Sequence, residues 1–535
     1  MEKYAPRASS LPTAAHQHWV EKLASQFASC VSPPFIITAG MTTSGPFHIG
    51  TLSEFLYPGM LVRFLEKQGG ANFIFSADIL DAFDSVPASM AAHSNSLSPH
   101  LGKPLCDVPD PLGCCASFGE HFLSEALLLV AKFGLSPQIR KASVDYRAGA
   151  YDDYARLFIR NLPKVRQVIA ETSLNPNLPA NWYPIMPQCS SCGRIATTEI
   201  TQLDEEKYSY SCTRSLEYCK GCGYSGAHKL SEHKYKLQWR LHWPSWMDLN
   251  HTHIEGAGMD HHTRGGSWDS CVGVFRGLFN KEPPIGFKFG FVLFGGKKYS
   301  KSKGIGMGVT ELVRLVPPDV LTYALIRPDL EENRDLNPTG DNLLRLLDDY
   351  QQAASFVPLL SQQPEELRAQ EEKDPTALAL SRANRKKALA YTLAARQPAW
   401  QAAFADLLIY HVLYRNWDVV AEKLGHKKDV EFLAPYVENW EKSGIVPPDY
   451  SFSFRPSRPQ SKAVEEFFSR LAPPLSALDI HNLAFSVAKE NNLRAGEFFA
   501  ELYLCIIGQP KGPKLGKLVE AIGVQNVKSK VLGAP

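Results

Sequence analysis

The sequence predicts an α/β protein: a parallel-sheet domain interrupted by a cysteine-bearing insertion and followed by an all-α region. Three observations lead there. Two short apolar runs bracket a helical pattern near the N-terminus, cysteines and glycines take over between residues 181 and 230, and beyond about residue 335 the chain is alanine-rich with no further parallel-sheet signal.

The first run, Phe35-Ile36-Ile37-Thr38-Ala39-Gly40, is β-branched and ends on glycine, as a buried strand does before a turn. Leu52, Phe55, Leu56, Met60 and Phe64 then recur at helical spacing, with Pro58 predicted to kink or restart the helix. The second run is Ala71 to Ala77. Strand, helix, strand makes a βαβ unit, whose functional loops lie at the strand C-termini, here residues 42–50. Residues 120–170 carry two helical patterns, and residues 285–294 read as one buried strand. Thr376 to Ala395 and Gln401 to Leu424 read as helices, and the Pro/Ser-rich stretch Gly444 to Ser461 separates two helical groups. The expected domains are 1–335, including the 181–230 insertion, then 336–445 and 446–535.

Composition bounds the function. The 535 residues are 44% hydrophobic, 21% charged and 11% aromatic, which excludes a disordered, collagenous or small disulfide-scaffold protein. Fifty-seven Lys+Arg against 55 Asp+Glu leave +2, so any nucleic-acid contact must come from local patches. No apolar run approaches membrane-spanning length and the N-terminus lacks a secretory pattern, so a soluble, cytoplasmic chain with no membrane contact is expected.

Two motifs carry chemistry. Thr42 to Gly50 contains Ser44-Gly45-Pro46-Phe47-His48-Ile49-Gly50, where glycines admit a ligand to the backbone, a helix start offers free N–H groups, and His48 can donate to an anion. About 250 residues later, Lys297-Lys298-Tyr299-Ser300-Lys301-Ser302-Lys303-Gly304 places ammonium groups after a strand, able to offset charge on a transferring phosphate. Alone, the first is a glycine-rich turn and the second a solvated lysine loop. Together they resemble the His-Ile-Gly-His and Lys-Met-Ser-Lys-Ser motifs of class I aminoacyl-tRNA synthetases, departing at Thr51 and Tyr299.

Longer stretches resemble the class I lysyl-tRNA synthetases of archaea and some bacteria. These are Gly40 to Gly50, Pro109-Asp110-Pro111-x-Gly113-Cys114 with Glu120-His121-Phe122, Trp239-Arg240-x-x-Trp243-Pro244, Gly258-x-Asp260-His261 with Gly265-Gly266-Ser267-x-Asp269, and Gly508 to Gly516. The resemblance implies a Rossmann-type catalytic domain and an α-helical anticodon-binding region. It implies ATP, L-lysine and tRNA(Lys) as substrates, with Mg2+ accompanying ATP. By position, His48, Gly50, Lys298 and Lys301 would be catalytic. Ser44, Pro46, Gly258, Asp260 and Ser300 would join them around ATP, and Gly40, Thr42, Asp78, Trp239 and His261 would hold the amino acid. Asp78, Asp81 and Asp84 can serve the lysine ammonium groups or act as helix caps and surface charge. Phe289-Gly290 stands where a Tyr-Glu pair is expected, which loosens the lysine assignment. A glutamyl- or glutaminyl-type enzyme and a non-catalytic tRNA-binding paralogue are the alternatives.

Cys189-x-x-Cys192-Gly and Cys219-x-x-Cys222-Gly, 26 residues apart, have the spacing of two metal knuckles, so a structural zinc on these four thiolates is expected, with Cys212 and His228 as spare ligands. Cys114 and Cys115 read as buried small hydrophobes, and His251, His253, His261 and His262 are discounted as a second metal group. Lys511, Lys514, Lys517, Lys528 and Lys530 form a basic run suited to tRNA phosphates.

Overall fold

A computed structural model describes residues 17–175, 177–298, 307–361 and 375–533. The chain divides into two compact units, one made of Met1–Glu311, Thr322–Leu336 and Pro358–Arg396, the other of Leu312–Leu321, Asn337–Val357 and Gln397–Pro535.

The first unit is built on a five-stranded parallel sheet. After helix α1 (Trp19–Ala28), strand β1 (Phe35–Met41) leads into helix α2 (Ile49–Leu65), then β2 (Ala71–Ala77) and β3 (Gln138–Lys141). The strands β9 (Ile254–Gly258) and β10 (Ile285–Phe289) follow the insertion and complete the order β10-β9-β1-β2-β3. Chain order reverses between β1 and β9, which opens a crevice at their C-terminal ends. Register aligns Thr38 with Ile74 and Glu255, and Gly40 with Ser76.

Helix α2 does not restart at Pro58. Leu56 through Leu61 are all buried, and Phe55 stacks on Phe75 of β2 with centroids 3.7 Å apart, so packing outweighs the lost backbone hydrogen bond. The expected strand over 285–294 is two strands in different sheets. Chain direction changes at Gly290, whose N–H donates to the Leu330 carbonyl, and β11 (Val292–Phe294) pairs with β12 (Lys297–Lys298) and β13 (Arg334–Asp335). Gly295 and Gly296, both at positive φ, form the turn between β11 and β12.

The insertion is a three-stranded antiparallel sheet of β5 (Glu199–Leu203), β6 (Lys207–Ser211) and β7 (Ser225–Lys229), entered and left through the antiparallel pair β4 (Ile185–Pro187) and β8 (Tyr235–Leu237). Helix Pro375–Ala394 belongs to this unit, where Arg385 makes a two-pronged ion pair with Glu21 of α1.

The second unit is helical. Gln401 to Leu424, read as one helix, is two, Phe404–Tyr414 and Trp417–Leu424, because Arg415 turns left-handed and Asn416 caps the next helix. Helices Lys462–Arg470, Ala477–Glu490, Ala495–Ile507, Leu515–Ile522 and Val524–Leu532 enclose an apolar core that includes Phe467, Phe498, Leu502 and Leu518. No described helix is long and apolar enough to cross a membrane.

Candidate active site

His48 is the N-cap of α2. Its Nδ1 accepts the Thr51 N–H at 3.1 Å, and the Thr51 hydroxyl reaches the same ring, so Thr51 positions the imidazole. A Cβ on Gly50 would sit 3.2 Å from that ring, which explains why the residue is glycine. The backbone of His48 also forms an antiparallel bridge with Gly308. The segment that follows the lysine-rich motif is thereby fastened to the histidine motif, although 250 residues separate the motifs in sequence. Lys298 enters β12 opposite Leu293. Ser300 and Lys301 lie outside the described residues.

Below this edge, in the β1–β9 crevice, is a pocket lined by Gly40, Met41 and Thr42 of the β1 end, Ser76 and Asp78 of the β2 end, Glu54 of α2, Glu255 to Ala257 of β9, His261, and Trp239, His242, Trp243 and Trp246 of the helix Trp239–Leu249. The five residues expected around the amino acid, Gly40, Thr42, Asp78, Trp239 and His261, all line it. Trp239 stacks on Trp243 (5.5 Å, 14° between planes), and His261 meets Trp243 edge-on. Arg240 holds the carbonyls of Gly265 and Gly266, fixing the turn after β9. A Cβ on Gly258 would lie 2.7 Å from Asp260 Oδ1, so glycine there lets the Asp260 carboxylate fold back over the strand end. Ser44 and Pro46 are half-buried in the loop between β1 and α2.

Two expectations change. Asp78 and Asp81 are not free acids, because buried Lys236 of β8 donates to Asp78 Oδ2 at 2.6 Å and also bonds Asp81, whose other oxygen accepts from Thr42 at 2.6 Å. Asp84 is exposed, and its Oδ1 accepts from the Ser85 hydroxyl. Second, Phe289 and Gly290 do not line the pocket; Phe289 packs on Tyr57, and a Cβ on Gly290 would be 2.3 Å from the Glu332 carbonyl oxygen.

The acids that the sequence did not single out are Glu54 and Glu255. Burial pushes the Glu255 carboxyl up to about 8, and burial together with Glu255 and Asp260 raises Glu54 well above the carboxylate range. Their signal in the sequence is the one acid in a largely apolar helix and one inside a central strand.

The profile of the family described as tRNA synthetases class I (K) matches residues 17–383. The chain belongs to this family. The synthetase is 28% identical over 537 residues to the lysine--tRNA ligase of Archaeoglobus fulgidus, covering 97% of this chain and all of that one. It is 31% identical over 337 residues to lysine--tRNA ligase 1 of Methanosarcina acetivorans, covering 62% of this chain and 61% of that one. Among solved structures, a glutamate tRNA ligase from Elizabethkingia meningosepticum aligns over 93% of this chain and 98% of that one, with 12% identity and a TM-score of 0.36.

Within the synthetase, the thiols of Cys189, Cys192, Cys212 and Cys222 lie within 4.8 Å of one another. Cys212 takes the place expected for Cys219. Its N–H donates to the Tyr224 carbonyl and its own carbonyl accepts from Gly223, which sets it across from Cys222, while Cys219 is drawn into a turn with Leu216. Four soft sulfur donors in tetrahedral reach suit zinc. Asp110, Cys114, Cys115 and His121 form a second group able to hold a metal ion. Cys114 is therefore not a buried hydrophobe: it is exposed, 3.2 Å from the His121 ring, with its N–H donating to Asp110. The histidines at 251, 253, 261 and 262 form no such group among the described residues.

Proposed function

We propose that the protein is a lysine--tRNA ligase, which condenses L-lysine with ATP to lysyl-adenylate and passes the lysyl group to the terminal ribose of tRNA(Lys) in the cytoplasm. The composition of the pocket carries the reading. Three carboxylates (Glu54, Asp78, Glu255) and no arginine or lysine line it, and three tryptophans wall it. Such walls cover methylenes and favour a cation, and a pocket without arginine or lysine in its lining offers no counter-charge to the side chain of glutamate. The names of the relatives point the same way, and retention of both ATP motifs in the sequence argues against a binding-only paralogue.

Adenylate formation by in-line attack on the α-phosphate needs positioning and charge stabilisation more than covalent help from side chains. His48 at the α2 N-terminus would contact the phosphates of MgATP, with Ser44, Pro46, Gly50, Gly258 and Asp260 around the nucleotide. Lys298, Ser300 and Lys301 would offset the charge that develops on the pyrophosphate side. Mg2+ arrives with ATP and shares that charge. Zinc on Cys189, Cys192, Cys212 and Cys222 would stabilise the insertion, since four thiolates leave no position for substrate. In the helical unit, Lys511, Lys514 and Lys530 are exposed and suited to anticodon-arm phosphates, whereas Lys517 pairs with Asp406 and Lys528 donates to the Ser469 and Leu471 carbonyls. ATP–pyrophosphate exchange with each amino acid, with and without tRNA, tests the assignment; exchange driven by glutamate or glutamine and not by lysine would overturn it.

A further inference from the structure

The pocket offers more than one carboxylate, and strand register ranks them by depth. Asp78 follows the last residue of β2, at the rim beside Met41 and Thr42 of the β1 end. Glu255 is level with Thr38, which is level with Ile74, four residues below Asp78. At about 3.3 Å per residue, the backbone of Glu255 is about 13 Å deeper along the strands. Side chains at alternating positions share a face, so Thr38, Gly40, Ser76 and Glu255 line the same side as Trp243. Glu255 is 1% exposed, and each of its oxygens is held by a neutral donor: Trp243 Nε1 at 2.8 Å from Oε1, and the Thr38 hydroxyl on Oε2. Asp78 is 4% exposed, and its Oδ1 has no hydrogen-bond partner while Lys236 occupies Oδ2. Two acceptors at two depths match an amino acid with two ammonium groups.

We infer that Glu255 is the specificity-determining residue that receives the side-chain ammonium of the substrate at the pocket floor, while Oδ1 of Asp78 receives the α-ammonium at the rim. The inference rests on the lysine reading. The carboxylate to be activated must face the phosphates above the sheet edge, so the four methylenes run down past the stacked Trp239 and Trp243 rings toward Glu255. Thr38 and Trp243 orient the Glu255 carboxyl group and supply no counter-charge. The ionisable groups around it are Glu54 from α2, Cys271 from the helix Ser267–Val274, and Asp78, His242 and His261 in the same cavity. Burial leaves Glu255 largely protonated at pH 7, so docking an ammonium there expels a proton.

Two measurements on the full chain test this. In lysine-dependent pyrophosphate exchange, Glu255→Gln should raise the lysine KM roughly 100-fold, leave the ATP KM nearly unchanged, and let norleucine, which ends in a methyl group, compete as it does not in the parent. Calorimetry of the unsubstituted protein at pH 7, in buffers of different ionisation enthalpy, should show release of about one proton per lysine bound. If parent exchange depends on lysine but Glu255→Gln keeps its lysine KM within about threefold, or if lysine binding releases no proton, Glu255 is not the receptor and the lysine reading stands. If the parent shows no lysine-dependent exchange, the lysine reading itself falls.

Discussion

Lys236 offers the sharpest test of what holds the pocket together. Its ammonium is 1% exposed and bonds both Asp78, itself 5% exposed in its side chain, and Asp81. Those two aspartates raise the Lys236 pKa against the opposing effect of burial. A raised folded pKa on a lysine means that its contribution is complete below the unfolded value of about 10.4 and is lost as pH climbs through the folded value, so at neutral pH it is fully present. Lys236→Met keeps the volume and deletes the charge, leaving Asp78 buried without its cation. Removing one partner of a buried pair costs about 3–5 kcal/mol. At about 2 °C per kcal/mol for a large domain, the melting transition of the sheet-bearing unit should fall by about 6–10 °C. Lys236→Met combined with Asp78→Asn should recover most of that loss, because the stranded charge is gone. Differential scanning calorimetry at pH 7 reads both variants. A single variant that melts within about 1 °C of the parent, or a double variant no better than the single, would refute the reasoning.

Other outcomes follow from particular contacts. Cys212→Ser and Cys192→Ser should each lose an equivalent of bound zinc in a chelator-release titration, whereas Cys219→Ser and Cys271→Ser should keep it. Burial lowers His18 to about 4, with its Nε2 against the Ile326 carbonyl. A depressed folded pKa gives stability that is present above about 6.5 and lost as pH falls toward 4, at up to about 1.4 kcal/mol per pH unit, so a denaturant midpoint measured from pH 7 to 4 should fall more steeply in the parent than in His18→Gln. Gly290→Glu should not supply a carboxylate to the pocket and should lower the melting temperature, because its Cβ would meet the Glu332 carbonyl oxygen at 2.3 Å.

Much of the sheet was legible because its cues are local. Phe35 to Gly40 and Ala71 to Ala77 are short apolar runs that end where a strand must end, and the glycines at 40 and 50 mark close approaches. Gly40, Thr42 and Asp78 converge because they lie at or just beyond the C-terminal ends of β1 and β2, which the βαβ pattern located, whereas Trp239 and His261 were expected from the family resemblance alone. What was not legible depends on partners far away in sequence. Nothing local shows that Lys236 claims Asp78 across 158 positions. The choice of Cys212 over Cys219 is made by a cross-strand pairing with Tyr224 and Gly223, not by the C-x-x-C spacing. Pro58 misled because its helix is packed on nearly every side, and the break at Gly290 is imposed by a distant carbonyl rather than by a local turn signal. Glu255 was hidden within a strand whose other residues are apolar or glycine.

The β4–β8 pair links two parts of the molecule that would otherwise be treated separately. Cys189 stands two residues beyond β4, and Lys236 lies on β8 directly across from Met186. The lysine that anchors the pocket wall is thus carried on the same two-stranded stalk as the first cysteine knuckle. A metal on those cysteines, with no route to the substrate, would still set how firmly that stalk is gripped. Stripping the metal should be felt as weaker amino-acid binding before it is felt as unfolding, which turns the cysteine module from a passive brace into a mechanical lever on substrate affinity.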